Sequence, residues 1–364
     1  MHQSRERLKI ATIVGNRPQF IKSSTITREI LGRKDSNFDE IYIHTGQHYD
    51  ANMSDIFFKE LNIPTPKYNL DINGGSNSQQ LSRMVKHIES SLIKEKPDAC
   101  LLYGDTNSTL AGAITAKNLS IPVIHVEAGL RSNNIDMQEE VNRLITDRLS
   151  SFLFCPNVES IENLKKENIL KNVFDVGDVM YDSFVYFSNL FKEKEKKKSN
   201  QKYIFSTIHR KENTNNVVFL KNIFDALELV ATEIQVIMPL HPRTKKYLQD
   251  NQISISNITI IEPQSYISTL NLVSNSEMVV TDSGGLQKEA FFAKKTCVTL
   301  RKETEWRDTL INNCNTLCYP DNKDSIVESI RSSYSNLSHE NFFGDYFGNG
   351  RASKKIIDIL LKLL

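Results

Sequence analysis

A glycine turn in the C-terminal half of the chain has residue types suited to binding an anion. The apolar run Met278–Val280 leads into Thr281–Ala290, which predicts the end of a buried strand, a tight turn and the start of a helix. Small residues such as Ser283 and Gly284 let backbone N–H groups approach an anion, and the helix N-terminus adds partial positive charge. Glu289 lies further along that helix, where it could reach a ribose hydroxyl pair. The pattern favours a nucleotide diphosphate site, although Ser-Gly-Gly is also an ordinary turn.

Carboxylates in the N-terminal half are candidates for proton transfer. Asp105 and Glu127 each follow an apolar, strand-like run, and Glu139 and Glu140 begin a helix-like stretch. An unpaired buried charge is costly, so a carboxylate that emerges from a buried strand is hard to explain by packing. Structural alternatives exist, because Asp105 can cap a helix and acidic residues in a first turn favour the helix dipole. If these carboxylates are not structural, they could act as a general acid or a general base.

Basic and imidazole side chains also follow strand-like runs. Arg17 comes after Gly15 and can hold a phosphate with two hydrogen bonds, and Lys22 lies on the first turns of the next helix. His209 could donate to a phosphate or act as an acid, and His241 follows a later strand in the same way. The alternatives are an exposed arginine in a helix-start turn and a histidine with a structural role.

Metal binding and the common nucleotide-binding motifs are not favoured. His44 and His48 are separated by a glycine in a predicted loop, with no obvious third ligand. The turn after the first strand is not G-x-G-x-x-G, and the sequence has no Walker motif. We therefore predict no metal and no cofactor.

Length and composition predict a soluble protein of two domains. The 364 residues exceed one typical core, and 39% hydrophobic and 24% charged residues are ordinary values. A net charge of +1 gives no reason to expect nucleic acid or a membrane as partner. The start of the chain lacks a signal-peptide core, and no apolar run approaches the ~18 residues of a membrane span. The five cysteines form no metal-binding pattern, so we predict a cytoplasmic enzyme with free thiols.

Strand-like and helix-like segments alternate along the chain. The predicted strands are Lys9–Val14, Glu40–His44, Ala99–Tyr103, Val123–Val126, Ser151–Cys155, Lys202–Ile208, Ile234–Met238, Ile258–Ile261, Glu277–Thr281 and Cys297–Leu300. The predicted helices include Phe20–Leu31, Asn52–Leu61, Gln79–Lys94, Thr109–Leu119, Glu139–Leu149, Val217–Val230 and Ala352–Leu364. This order predicts the α/β class, with two Rossmann-like, doubly wound domains built on parallel sheets.

The predicted domains are 1–178, which carries the carboxylates, and 179–350, which carries the glycine turn. Residues 351–364 are predicted to form a C-terminal helix that packs back on the body. Ligands bind at the C-terminal ends of strands in such sheets. We therefore expect the two domains to face each other across a cleft that holds one shared site.

Taken together, these segments resemble the UDP-N-acetylglucosamine 2-epimerase family of the non-hydrolysing type. The matching blocks run in order from Gly15–Gln19 to Arg301–Trp306, nearly the whole chain. The family has the glycosyltransferase-B architecture, which agrees with the two predicted domains. The resemblance implies a homodimer that acts on a UDP-sugar in the synthesis of a surface polysaccharide.

The resemblance also implies roles for single residues. The implied catalytic residues are Asp105, Glu127, Glu139 and His209. The implied substrate- and UDP-binding residues are Arg17, Lys22, Arg143, His241, Ser283, Gly284 and Glu289. In the family's reaction, UDP leaves C1 while a base takes the C2 proton, which gives a bound 2-acetamidoglucal. UDP then adds back with protonation of C2 from the other face.

The sequence departs from the family pattern at two places. Gln138 stands where the family commonly has proline before the Glu-Glu pair, and Glu305–Trp306 stands where many of its members have Glu-Arg. The second departure resembles the subgroup that acts on UDP-2,3-diacetamido-2,3-dideoxy-glucuronate, so that sugar is an alternative to UDP-GlcNAc. A glycosyltransferase of the same architecture and a non-catalytic nucleotide-sugar sensor are further alternatives. Incubation with UDP-GlcNAc alone discriminates, because only an epimerase changes C2.

Overall fold

The computed structural model describes residues 7–33, 38–46, 58, 60–194, 201–240, 242–336 and 343–364. The chain divides into two compact units. The N-terminal unit comprises Met1–Ser183 and Asp345–Leu364, and the C-terminal unit comprises Phe184–Gly344. Residues 179–183 and 345–350, which the sequence-based limits assign to the second domain, thus group with the N-terminal unit. The limits of the functional domains stay a prediction.

The N-terminal unit is built on a seven-stranded parallel sheet with the order β3-β2-β1-β4-β5-β6-β7. The strands are β1 Leu8–Val14, β2 Phe38–His44, β3 Tyr68–Asn69, β4 Ala99–Tyr103, β5 Val123–Val126, β6 Phe152–Cys155 and β7 Val173–Asp175. The central strands are buried along most of their length, as expected for a parallel sheet covered on both faces. The strand order reverses between β1 and β4, and ligands bind beyond the carboxyl ends of strands at such a switch point.

Helices alternate with strands in the N-terminal unit. They are α1 Arg17–Gly32, α2 Asn77–Glu95, α3 Asn107–Asn118, α4 Gln138–Leu149, α5 Val158–Lys166 and the start of α6 Val179–Lys194. The side chains of Asn16, Ser76, Thr106 and Asn157 accept hydrogen bonds from the first turns of α1, α2, α3 and α5. The predicted helix Asn52–Leu61 lies mostly outside the described residues.

The C-terminal unit repeats the architecture with six parallel strands in the order β10-β9-β8-β11-β12-β13. The strands are β8 Tyr203–Thr207, β9 Gln235–Pro239, β10 Thr259–Ile261, β11 Met278–Thr281, β12 Thr296–Thr299 and β13 Asn315–Leu317. The helices are α7 Lys211–Thr214, α8 Val217–Val230, α9 Pro242–Asp250, α10 Tyr266–Asn275, α11 Gly284–Phe292 and α12 Lys323–Ser335, with a 3-10 segment at Arg307–Asn313. The order reverses between β8 and β11. The predicted α/β class with two doubly wound parallel sheets is confirmed.

The last helix, α13 Ala352–Leu363, packs against α1 in the N-terminal unit. The carboxylate of Asp182 accepts hydrogen bonds from the N–H groups of Ala352 and Ser353 at 2.9 and 2.7 Å. Further along, Arg33 Nη2 lies 2.7 Å from Asp358 Oδ1. Both ends of the helix are therefore tied to the first unit. Among the described residues, no helix is both long enough and apolar enough to cross a membrane.

Candidate functional site

The loop after β1 is tied to β4 and to α3. The Gly15 N–H donates to Gln19 Oε1 at 2.7 Å, and Gln19 Nε2 donates to the carbonyl of Tyr103 at 2.8 Å. Only glycine fits at position 15, since a Cβ there would lie 2.0 Å from Ser108 Oγ. These contacts fix the first turn of α1, where Arg17 is half-buried.

Lys22 and Glu127 form a buried ion pair. Lys22 Nζ lies 2.5 Å from Glu127 Oε1, and the two residues are 8% and 7% exposed. Gly104 borders this pair, because a Cβ there would lie 3.1 Å from Lys22 Nζ and 3.4 Å from Glu127 Oε1. Glu127 has a φ of +76°, in the left-handed region that residues other than glycine rarely adopt. Such backbone strain clusters at functional sites.

Asp105 follows β4 and is held by α4. Arg143 Nη2 donates to the carboxylate of Asp105, and Asn142 Nδ2 donates to its backbone carbonyl at 2.9 Å. Burial alone would raise the pKa of Asp105, but the positive charges of Arg143 and Lys22 outweigh that effect and lower the pKa. Asp105 is therefore an anion at neutral pH and can accept a proton.

The two acidic residues at the start of α4 have different surroundings. Glu140 is 1% exposed and accepts hydrogen bonds from the N–H groups of Ser132 and Asn133 and from Arg143 Nη1. Its neighbour Glu139 is exposed. Glu140 therefore anchors the loop before α4, while Glu139 is accessible to a ligand.

In the C-terminal unit, the buried Asp282 organises the loop after β8. Its carboxylate accepts hydrogen bonds from the N–H groups of His209 and Arg210 at 3.1 and 2.9 Å, and from Asn213 Nδ2 at 3.1 Å. Asp282 Oδ1 also lies 3.4 Å from His209 Nδ1. The side chain of Asp282 is fully buried, whereas that of His209 is 60% exposed. Asp282 thus fixes the backbone that presents an exposed imidazole.

The predicted glycine turn is the N-terminal turn of α11. Ser283 is the N-cap, and its Oγ accepts a hydrogen bond from the Leu286 N–H at 3.3 Å. A Cβ at Gly284 would lie 2.9 Å from Glu305 Oε1, so a larger residue there would displace the Glu305 carboxylate. Glu289 lies later in the same nine-residue helix and is 5% exposed. The exposed N–H groups at the start of such a helix are suited to an anion.

Trp306, which departs from the family pattern, takes part in a buried contact. Lys288 Nζ lies 3.5 Å from the centre of the Trp306 ring, and the two residues are 1% and 4% exposed. A desolvated cation–π contact of this kind stabilises by about 2 kcal/mol. Lys288 is absent from the residues predicted from sequence, because no local pattern links it to a partner so far along the chain.

The N-terminal unit brings four of the predicted residues together. They are Lys22, Asp105, Glu127 and Arg143. In the C-terminal unit, His209 and Ser283 lie on either side of Asp282, which is absent from the residues predicted from sequence. The signal for Asp282 was a carboxylate directly after an apolar strand. His241 lies outside the described residues.

Buried carboxylates paired with cations in one doubly wound unit, and a helix N-terminal turn suited to an anion in the other, are typical of a two-unit α/β enzyme. Comparison with known proteins agrees. The model of the UDP-N-acetylglucosamine 2-epimerase family matches residues 32–361. The UDP-2,3-diacetamido-2,3-dideoxy-D-glucuronate 2-epimerase of Pseudomonas aeruginosa is 44% identical, over 98% of this chain and all of that protein. A UDP-N-acetylglucosamine 2-epimerase homolog of Methanococcus maripaludis is 46% identical over 98% of this chain and all of that protein.

A solved structure gives the same result. The UDP-GlcNAc 2-epimerase of Methanocaldococcus jannaschii, in complex with UDP-GlcNAc and UDP, superposes with a TM-score of 0.85 at 39% identity, covering 98% of this chain and all of that one. The chain belongs to the UDP-N-acetylglucosamine 2-epimerase family. It is therefore an isomerase of the epimerase type.

Proposed function

We propose that this protein inverts C2 of UDP-GlcNAc to give UDP-ManNAc by elimination and re-addition of UDP. The observation that supports this most directly is the buried pair of Lys22 and Glu127 beside Gly104, one residue from the Asp105–Arg143 pair. Two carboxylates, each with its own cation, suit a reaction in which a proton leaves one face of a carbon and another proton arrives at the opposite face.

The N-terminal unit supplies the proton transfers. One carboxylate takes the C2 proton as the bond between C1 and the UDP oxygen breaks, and the electron pair of the C2–H bond forms the C1–C2 double bond. A second carboxylic acid then protonates C2 from the other face as the UDP oxygen attacks C1. Asp105, Glu127 and the exposed Glu139 are the candidates for these two roles, and the lowered pKa of Asp105 favours the base.

The C-terminal unit binds UDP. The turn formed by Ser283 and Gly284 at the start of α11 would hold the diphosphate, and Glu289 would accept from the ribose hydroxyls. Negative charge accumulates on the diphosphate as it leaves, so donors aimed at it lower the barrier, each by roughly 3 kcal/mol. The exposed imidazole of His209 would act in this way, together with Arg17 and Lys22. Arg143 and His241 are further binding residues in this proposal.

A second substrate, UDP-2,3-diacetamido-2,3-dideoxy-glucuronate, is favoured by one observation. The Glu305–Trp306 block resembles the subgroup that uses this sugar, and the Trp306 ring packs against the buried ammonium group of Lys288. The similarity to the Pseudomonas aeruginosa enzyme supports the same substrate. Both sugars carry an acetamido group at C2, so the same elimination serves either one.

Proton NMR of reactions in deuterium oxide tests both proposals. Each UDP-sugar is incubated separately with the purified protein, and the product is examined for inversion and for deuterium at C2. Deuterium at C2 of the inverted product from one sugar identifies the substrate. Inversion without deuterium at C2 would eliminate the mechanism, and no inversion of either sugar would eliminate both substrates.

We also propose that the enzyme is a cytoplasmic homodimer. The family resemblance supports the dimer, and the five cysteines are buried free thiols, as is common in reducing compartments. Light scattering coupled to size exclusion should give about twice the 41.6 kDa mass of one chain. Cell fractionation tests the location, with an enzyme of known cytoplasmic residence as marker.

A further inference from the structure

His125 is a buried histidine of the N-terminal unit with two acceptor groups at its ring nitrogens. The residue lies in β5 and is 0% exposed. Its Nδ1 lies 2.7 Å from Asp147 Oδ1, and its Nε2 lies 2.8 Å from the carbonyl oxygen of Gly104. A carbonyl oxygen can only accept, so Nε2 must carry a proton.

The other ring nitrogen must also carry a proton if Asp147 is ionised. Asp147 Oδ2 accepts from the Gly129 N–H at 3.1 Å and lies 2.7 Å from Arg131 Nη1. The Arg131 guanidinium beside Oδ2 favours an ionised Asp147, and the ring then donates from Nδ1 to Oδ1.

We infer that His125 is a buried imidazolium which, with Asp147, acts as a positioning residue for both Asp105 and Glu127. His125 holds the carbonyl of Gly104, the residue directly before Asp105. Asp147 holds Gly129 and Arg131, in the loop that begins at Glu127. One buried ion pair thus fixes the two loops that carry the candidate proton-transfer groups. The link of this inference to catalysis rests on the proposed function. The charge of the ring is independent of that function.

Residues spaced by four along α4 explain how one helix can serve both loops. Glu139, Arg143 and Asp147 lie at i, i+4 and i+8, which places them along one face of α4. Arg143 pairs with Asp105 and Asp147 pairs with His125, while Glu139 is in the exposed first turn. A helix that contacts both loops holds their spacing, and displacement of a reacting group by about 1 Å can cost roughly 100-fold in rate.

The imidazolium also has an electrostatic consequence for Asp105. Its positive charge is one of the contributions, smaller than those of Arg143 and Lys22, that lower the pKa of Asp105 against the effect of burial. The titratable groups around the ring are Asp147 on α4, Asp105 after β4, Arg131 in the loop after β5 and Cys155 on β6. Removal of the charge should raise the pKa of Asp105.

The charge of His125 is tested by NMR of the intact enzyme with ¹⁵N-labelled histidine at pH 7.5. We expect one of the eight histidines to show two protonated ring nitrogens and slow exchange with solvent, and to be lost in the spectrum of His125→Gln. If the histidine lost in that variant instead has one unprotonated nitrogen in the wild-type spectrum, the inference is overturned. This measurement needs no substrate, so it stands apart from any failure of the proposed epimerase activity.

The positioning role is tested by His125→Gln, Asp147→Asn and the double variant. Each single change should lower kcat by about 100-fold and leave the Kd for UDP within about twofold, since geometry and not UDP binding is lost. The double variant should be no worse than either single one, because the two residues act as a unit. The acidic limb of the kcat profile in His125→Gln should move to higher pH, which a merely structural role would not cause. If the acidic limb of the kcat profile does not move, or if the losses in kcat add in the double variant, the positioning role is overturned.

A control variant is available on the same unit. His87→Gln removes an exposed histidine of α2, and its kcat and pH profile should match those of the wild type. An equal loss in His87→Gln would show that the effect is not specific to the buried ring and would also overturn the role. Circular dichroism of all variants at 25 °C identifies any that fail to fold. If His125→Gln is among them, the wild-type spectrum decides by whether one slowly exchanging histidine has two protonated ring nitrogens.

Discussion

The charged groups of the N-terminal unit are buried and paired, whereas the most prominent candidate of the C-terminal unit is exposed. The side chains of Lys22 and Glu127 are 10% and 5% exposed, compared with 60% for His209. A buried pair keeps one geometry, while an exposed imidazole can adjust to an arriving ligand. The difference is consistent with the proposal that the first unit transfers protons and the second binds UDP.

The two units use the same strand position for these different tasks. Asp105 follows β4 and Ser283 follows β11, and each of these strands adjoins the first strand of its unit at the switch point. In the N-terminal unit this position provides a carboxylate, and in the C-terminal unit it provides a helix N-terminus. The fold thus fixes where a ligand can bind, and the side chains decide what happens there.

The largest expected effect is in the N-terminal unit. Asp105→Asn and Glu127→Gln should each lower kcat for epimerisation by about 10³-fold or more, because each removes a proton-transfer group. The Kd for UDP, measured by calorimetry, should change by less than about threefold, because the C-terminal unit is intact. Glu162→Gln, a partly exposed carboxylate on α5, is the matched control. Near-normal turnover in either active-site variant would show that this carboxylate of the N-terminal unit is not a proton-transfer group.

A smaller effect is expected at the exposed histidine. His209→Ala should lower kcat by about 10²-fold, since one donor to the departing diphosphate is lost. Its Kd for UDP should rise as well, unlike that of Asp105→Asn. Single-turnover kinetics with each UDP-sugar measure the chemical step directly. A loss confined to kcat, with unchanged UDP binding, would assign His209 to proton transfer. The proposed division between proton transfer in the first unit and binding in the second would then be wrong.

The glycine turn allows a comparison of neighbouring positions. A Cβ at Gly284 would clash with Glu305 at 2.9 Å, whereas at Gly285 the nearest atom is Ser283 Oγ at 4.0 Å. Gly284→Ala should therefore weaken UDP binding by about tenfold, which is about 1.4 kcal/mol, and Gly285→Ala should have little effect. Calorimetric titration with UDP measures both. Equal effects of the two changes would show that the lack of space for a side chain at position 284 is not the cause of the weaker UDP binding.

The last expected effect concerns stability and leaves activity unchanged. Glu40 on β2 accepts hydrogen bonds from Thr12 at 2.5 Å and Thr27 at 2.8 Å, and burial raises its pKa from 4.5 to about 7 despite these bonds. A carboxyl whose pKa is raised by folding stabilises the fold relative to high pH, so stability should fall as the pH rises from 4.5 to 7. The loss is at most about 3 kcal/mol.

Glu40→Gln tests this assignment. The amide cannot ionise, so the free energy of unfolding of the variant in urea should depend less on pH between 5 and 8 than that of the wild type. Its stability relative to the wild type should improve toward pH 8. The same slope in both proteins would assign the pH dependence to other groups.

Local sequence patterns predicted the regular elements well and the edges of the sheets poorly. Val217–Val230 is a helix with the predicted bounds, and Ala99–Tyr103 is a strand with the predicted bounds. The edge strands β3, β7 and β13 were not predicted, because two or three residues carry little hydrophobic pattern, whereas the equally short edge strand β10 was predicted from its isoleucines. Pairing with a neighbouring strand, rather than local preference, makes them strands.

The sequence by itself determined the α/β class, the family, and the residue types that end the strands, because each depends on short stretches of chain. Only the tertiary structure decided that Glu140 is buried and Glu139 exposed, and that Lys22 pairs with Glu127 across 105 positions. Adjacent residues of a helix point in different directions, and partners distant in sequence leave no local pattern. Charges in a protein interior take their protonation states from such partners, so the state of Asp105 follows from the fold.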